Sequence, residues 1–112
     1  MTYNRYDIVK VPFPFTDRQA SKYRPALIIS DAEPFNRLIG HSVMAMITSA
    51  KQSSWPLDTP INDLESAGLP TQSLIRLKLF TLDHRIIISS LGYLSATDQA
   101  AFKQHFNILI GL

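Results

Sequence analysis

Apolar positions in this chain fall in short runs whose period changes several times before the C-terminus. Ile8 to Phe13 (IVKVPF) predicts a strand, which Pro12 and Pro14 end or confine to a sheet edge, because proline offers no N–H to a ladder. Thr16 to Tyr23 is polar and reads as a loop. Pro25 to Ser30 (PALIIS) is almost continuously apolar, the pattern of a strand covered on both faces. Asp31 to Gly40 reads as a connection with one helical turn after Pro34. Ser42 to Thr48 (SVMAMIT) predicts a third strand, with Val43, Ala45 and Ile47 on one face and Met44 and Met46 on the other.

Ala50 to Thr59 is polar again and holds the single tryptophan, Trp55. A short strand is expected at Pro60–Asn62, and Leu64 to Pro70 (LESAGLP) predicts one helical turn closed by a glycine and a proline. Ser73 to Phe80 (SLIRLKLF) alternates strictly. Leu74, Arg76, Lys78 and Phe80 face one way, and Ile75, Leu77 and Leu79 the other, which predicts a half-exposed strand with two cations outward. Ile86–Ile88 and Gly92–Leu94 read as a short strand pair or as the entry to the tail. Ser95-Ala96-Thr97-Asp98 is a helix-capping signature, and Phe102, Phe106, Leu109 and Ile110 then recur at helical spacing, a stripe expected to pack on the core. Together these elements predict a mainly β fold with a C-terminal helix: a small β-barrel with the helix packed against it, in a single domain spanning 1–112.

Composition narrows the function classes. The chain of 112 residues has no cysteine, which excludes disulfides, a thiol nucleophile and every Cys-ligated metal centre. His41, His84 and His105 are too far apart in sequence for a His-x-x-x-His metal motif. No apolar run approaches the ~18 residues of a membrane span, and the N-terminus is too charged for a signal peptide, so a cytoplasmic protein is expected. Charged residues make up only 18%, which suggests that a second subunit covers part of the surface. The charge is also segregated: residues 1–24 carry a net +3, residues 31–65 a net −3 and residues 76–85 a net +2. If the two basic segments fold together, they form a cationic face suited to phosphates; the alternative is a solvated rim of salt bridges.

Several side chains could carry chemistry, each with a plainer reading beside it. Arg24 stands at a loop-to-strand boundary, where a planar guanidinium can clamp a phosphate or simply cover a strand end. Thr48 and Ser49 end the third strand and could donate to a phosphate or cap the next turn. Arg76 and Lys78 could extend a phosphate-binding floor or be solvated. His84 could act as a general acid or base, or bond within its turn. Trp55 and Tyr23 could stack on unpaired bases or cover the core. No glycine-rich phosphate loop, Ser-His-Asp arrangement or two-metal carboxylate cluster is visible.

The order of the segments is more specific than any one of them. Asp7-Ile8-Val9-x-Val11-x-Phe13-Pro14, then Arg24-Pro25-Ala26-Leu27-x-x-Ser30, Phe35-Asn36, Ile47-Thr48-Ser49 and Leu91-Gly92-x-Leu94 resemble the MazF/PemK family of toxins from bacterial toxin–antitoxin pairs. The resemblance implies an SH3-like barrel of the MazF/PemK (CcdB-like) type, a homodimer, and an endoribonuclease of single-stranded RNA that uses neither a metal nor any other cofactor. It also implies an antitoxin whose extended tail covers the RNA groove, with DNA met only through that antitoxin. The family's catalytic arginine and threonine fall on Arg24 and Thr48. Ser49, Arg76, Lys22, Lys78 and Tyr23 are the expected RNA-binding residues.

The chain also departs from the family pattern. Tyr6 stands where glycine is usual, Met46 where proline is usual, and Lys78 where some relatives carry an acid; the loop before Arg24 has no glycine from 15 to 23. Two other readings follow. One is an inactive relative that acts through antitoxin binding and promoter autoregulation. The other is a gyrase-binding toxin of a sister family, which relies on a Trp-Gly-Ile ending; this sequence closes with Ile110-Gly111-Leu112 and lacks that tryptophan.

Overall fold

A computed structural model describes residues 3–12, 23–50 and 54–112. Lys22 and all of the expected 16–23 loop except Tyr23 lie outside the described residues; Tyr23 itself begins a strand. Six strands form one antiparallel sheet: β1 (Asp7–Pro12), β2 (Tyr23–Ile28), β3 (His41–Ser49), β4 (Thr59–Pro60), β5 (Ser73–Asp83) and β6 (Ser89–Tyr93), in the order β4-β5-β3-β2-β1-β6. The sheet curls into a half-barrel, closed at the chain's end by α3 (Ala96–Ile110). Ala26, Leu27 and Ile28 are fully covered because β2 has an apolar cluster on each face, Leu27 in one and Ala26 and Ile28 in the other.

Alternation sorts the strands onto two faces. Ile8, Leu27, Ala45, Ile47 and Ile75 join Leu94 and Phe102 in the core between sheet and helix, with Leu77 and Leu79 packed at its margin. Val9, Val11, Ala26, Ile28 and Met44 form a second apolar cluster on the other face, with Phe80 beside it. The β3–β5 register shifts between Ala45 and Met46, which pair with Leu79 and Arg76 respectively. The insertion is an even number of residues, so the expected facing of Arg76, Lys78 and Phe80 survives it.

The connections are fixed by few side chains. Residues Ala32–Asn36 wind as a wide helical turn that runs into α1 (Arg37–Ile39). Asn36 is completely buried; its amide donates to the carbonyls of Tyr3 (2.8 Å) and Ser30 (3.0 Å) and its oxygen accepts from the Ser30 hydroxyl. Tyr6 adopts φ 77°, the left-handed backbone for which glycine would be the ordinary residue. α2 (Leu64–Ala67) is the expected single turn, and Gly68 after it lies so close to the Leu91 carbonyl that any Cβ would collide.

The Ser95 hydroxyl accepts from the Asp98 N–H at 3.3 Å, as the capping signature predicts. Asp98 does more than favour the helix end: fully buried, its carboxylate accepts from the N–H groups of Asn62 and Asp63 and ties α3 to the chain before α2. The helical stripe is corrected in its second half. Phe102 is buried, but Leu109 and Ile110 are 44% and 42% exposed, because α3 runs past the sheet that covers its first turns. No helix among the described residues is long and apolar enough to cross a membrane.

Candidate active site

The β2–β3 ladder pairs Ile28 with Met44, Leu27 with Ala45 and Ala26 with Met46. Continued along the same diagonal, it sets Pro25 opposite Ile47 and Arg24 opposite Thr48, while Thr48 is paired on its other side with Leu74. Directly opposed residues send their side chains to the same sheet face. Arg24 and Thr48, 24 residues apart in the sequence, are thereby brought toward one another at the ends of adjacent strands. Pro25 fixes the backbone after Arg24, which stiffens the base of its long side chain.

Both residues line one cavity of about 180 Å³ at the ends of these strands. Its walls add the hydroxyl-bearing residues Ser49, Thr71 and Ser73, with Pro25, Ile47, Leu69 and Pro70 as the apolar part. Thr48 is 3% exposed and therefore held firmly, while Arg24 is half-buried. Ser49 pairs with Ser73 across the ladder, and the Ser73 hydroxyl donates to the Thr71 carbonyl at 2.9 Å. No carboxylate is among the described residues that line this cavity. A guanidinium and several hydroxyls bordering one cavity make a site that attracts a phosphate and can donate to more than one of its oxygens.

The neighbouring row on the same face carries Met46 and Arg76. Arg76 is not solvated as its alternation suggested. It is 5% exposed, and Asp58 holds it with two hydrogen bonds, Nε to Oδ1 at 3.2 Å and Nη2 to Oδ2 at 3.0 Å. Sequence reasoning missed Asp58; the signal was an acid in the anionic 31–65 segment one residue before β4, whose register with β5 leads to Arg76. Trp55 covers the pair, its ring centroid 5.2 Å from the Arg76 guanidinium carbon and 5.8 Å from the Lys78 ammonium. Arg24, Arg76 and Lys78 thus lie on one side of the sheet, but a buried carboxylate offsets the charge of Arg76.

Two other expected residues stand apart. Tyr23 precedes Arg24 on β2 and alternates to the opposite face; it is exposed and does not line the cavity. His84 is excluded as a general base for this site. It follows Asp83, which pairs with His41 at the far end of β3, and the strand from Ser42 to Thr48 spans about 20 Å. Its Nε2 shares a 2.6 Å hydrogen bond with the buried Ser42 hydroxyl, and Tyr3 packs edge-on against it. Burial holds its pKa below the ordinary value, with His41 adding to the effect.

Comparison with known proteins agrees with this architecture. The family model described as PemK-like, MazF-like toxin of type II toxin–antitoxin system matches residues 4–110. Among solved structures, an endoribonuclease in complex with its cognate antitoxin from mycobacterial species superposes with a TM-score of 0.77 at 15% identity, covering 98% of this chain and 96% of that one. MazF from Deinococcus radiodurans gives a TM-score of 0.76 at 19% identity over 100% and 99% of the two chains. A MazF toxin of Mycobacterium tuberculosis gives 0.72 at 19% identity over 95% and 97%. No curated protein sequence matches the chain. With the segment order, the antiparallel sheet and the C-terminal helix all in agreement, the chain belongs to the PemK-like, MazF-like toxins of type II toxin–antitoxin systems.

Proposed function

We propose that this toxin is an endoribonuclease of single-stranded RNA that needs no metal. The observation that carries the reading is the shared cavity of Arg24 and Thr48. RNA supplies its own nucleophile: the ribose 2′-oxygen bonds to the adjacent phosphorus, the bond from phosphorus to the 5′-oxygen breaks, and the ends are a 2′,3′-cyclic phosphate and a 5′-hydroxyl. The 2′-hydroxyl loses a proton and the departing oxygen gains one. The protein's task is to align attack and to stabilise the extra negative charge of the phosphorane.

Arg24 suits that task because its guanidinium stays protonated and donates to two oxygens at once. For the same reason it serves as a donor, toward the phosphorane and the departing oxygen, and not as a base. Thr48 donates to the same phosphate from a fixed strand position, with Ser49 bordering the cavity. Lys78 draws a neighbouring stretch of backbone, while Arg76, offset by Asp58, contributes less than an isolated cation. Solved relatives bound to antitoxin support a cognate antitoxin as the protein partner, and any DNA contact would be made through that antitoxin. A homodimer accords with the exposed apolar end of α3.

Incubation of the purified protein with a long single-stranded transcript in EDTA tests the reading. Discrete cuts with cyclic-phosphate and 5′-hydroxyl ends are expected. Loss of cutting in EDTA would rule out the metal-free scheme, and no cutting under any condition, with no growth effect on expression, would favour an inactive relative.

A further inference from the structure

Trp55 stands in the same region as the Arg24–Thr48 cavity, and nothing so far assigns it a role beyond covering Arg76. Its backbone is pinned: its N–H donates to Asp58 Oδ2 at 2.8 Å, its carbonyl accepts from the Asp58 N–H at 3.4 Å, and Leu57 between them takes the left-handed φ of 66°. The same Asp58 carboxylate fixes Arg76, so one buried acid sets both the tryptophan and the cation beneath it. Yet the side chain is not sealed into a core. Trp55 remains 41% exposed, with Arg76 and Lys78 toward its ring and open surface elsewhere on the residue. A tryptophan recruited only for packing would bury more of its large surface.

Position adds the second half of the case. Arg76 pairs with Met46, two residues along β3 from Thr48, and both lie on the sheet face that carries Arg24. Two strand residues span about 7 Å, so the indole borders the next stretch of any chain whose phosphate sits between Arg24 and Thr48. A rigid aromatic ring backed by a fixed cation, beside a phosphate site, is the arrangement that stacks an unpaired base, and Lys78 next to it can hold that nucleotide's backbone.

We propose that Trp55 is a nucleobase platform: it stacks the base of a nucleotide adjacent to the scissile phosphate, with Lys78 at that nucleotide's backbone. The inference rests on the RNA-cleavage reading above. A bicyclic base covers an indole better than a monocyclic one, so a purine is favoured at this position.

Because Trp55 is the only tryptophan, its fluorescence reports on the contact directly. The probe is a 2′-deoxy oligonucleotide spanning the cleavage site mapped on a long transcript, which binds without being cut. Expected results are quenching of Trp55 on binding and about ten-fold weaker binding for Trp55→Ala, with Trp55→Phe retaining part of the affinity. An oligonucleotide abasic at the stacked position should bind wild-type protein about ten-fold more weakly but bind Trp55→Ala no worse than the intact one does. That last comparison separates stacking from a merely structural role. Binding by fluorescence anisotropy with no quenching, or equal sensitivity of both proteins to the abasic site at every position tried, would overturn the platform while leaving the cleavage reading intact. If the wild-type protein neither cuts nor binds single-stranded nucleic acid, the cleavage reading fails and the platform with it.

Discussion

Asp58 and Arg76 form a bidentate ion pair whose side chains are only 11% and 6% exposed, beneath Trp55 and one row from Thr48. Removing one member of a buried pair strips the other of its counter-charge, which costs more than the pair itself contributes. Asp58→Ala is expected to destabilise the fold by about 3 kcal/mol, with Asp58→Asn losing less because its amide oxygen still accepts one bond. Chemical denaturation measures both. A loss below about 1 kcal/mol for the alanine variant would mean that the pair is effectively solvated.

Gly68 and Gly111 share the left-handed backbone, at φ 71° and 70°, but differ in their surroundings. A Cβ at Gly68 meets the Leu91 carbonyl where α2 abuts β6, whereas nothing lies near one at Gly111. Gly111→Ala should therefore cost only the backbone strain, about 1 kcal/mol, and Gly68→Ala about 2–4 kcal/mol through added overpacking. Equal effects in denaturant titrations would place the strain, not the contact, in control.

His84 gives the fold a pH dependence of definite sign. Its pKa in the folded protein lies below the ordinary 6.5, chiefly through burial. Between those two values the unfolded chain binds more protons than the native one, so this contribution is complete above the ordinary pKa and is lost as pH falls through the window. Stability should thus decline from pH 7 toward pH 5, and His84→Gln should flatten the decline. The measurement is urea midpoints across that range; an unchanged slope in the variant would assign the dependence elsewhere.

Much of this architecture was legible because alternation and caps are local. The facing of Ile75, Leu77 and Leu79, the Ser95 cap and the turn closed at Gly68 follow from neighbours a few residues away. That Arg24 and Thr48 border one cavity could be anticipated only through resemblance, since no local rule sets a strand register. Other features needed distant partners. Arg76 is buried because Asp58, in another strand's approach, reaches it, and periodicity cannot name such a partner. Leu109 and Ile110 share a helical face with Phe102, but spacing tells which residues align and not how far the sheet extends beneath them. His84 looked available beside a carboxylate until the length of β3 placed it at the opposite end from Thr48.

The most direct test of the site is a double-mutant cycle on Arg24 and Thr48, read as single-turnover cleavage of single-stranded RNA. Arg24→Ala should slow cleavage by ~10²-fold or more, the scale for deleting a fixed donor at developing charge. Thr48→Ala should slow it by about ten-fold, the scale of one hydrogen bond. Because both act on one phosphate, the double variant should fall well short of the product of the two losses. An unchanged rate in Arg24→Ala, or losses that simply multiply, would contradict a shared site.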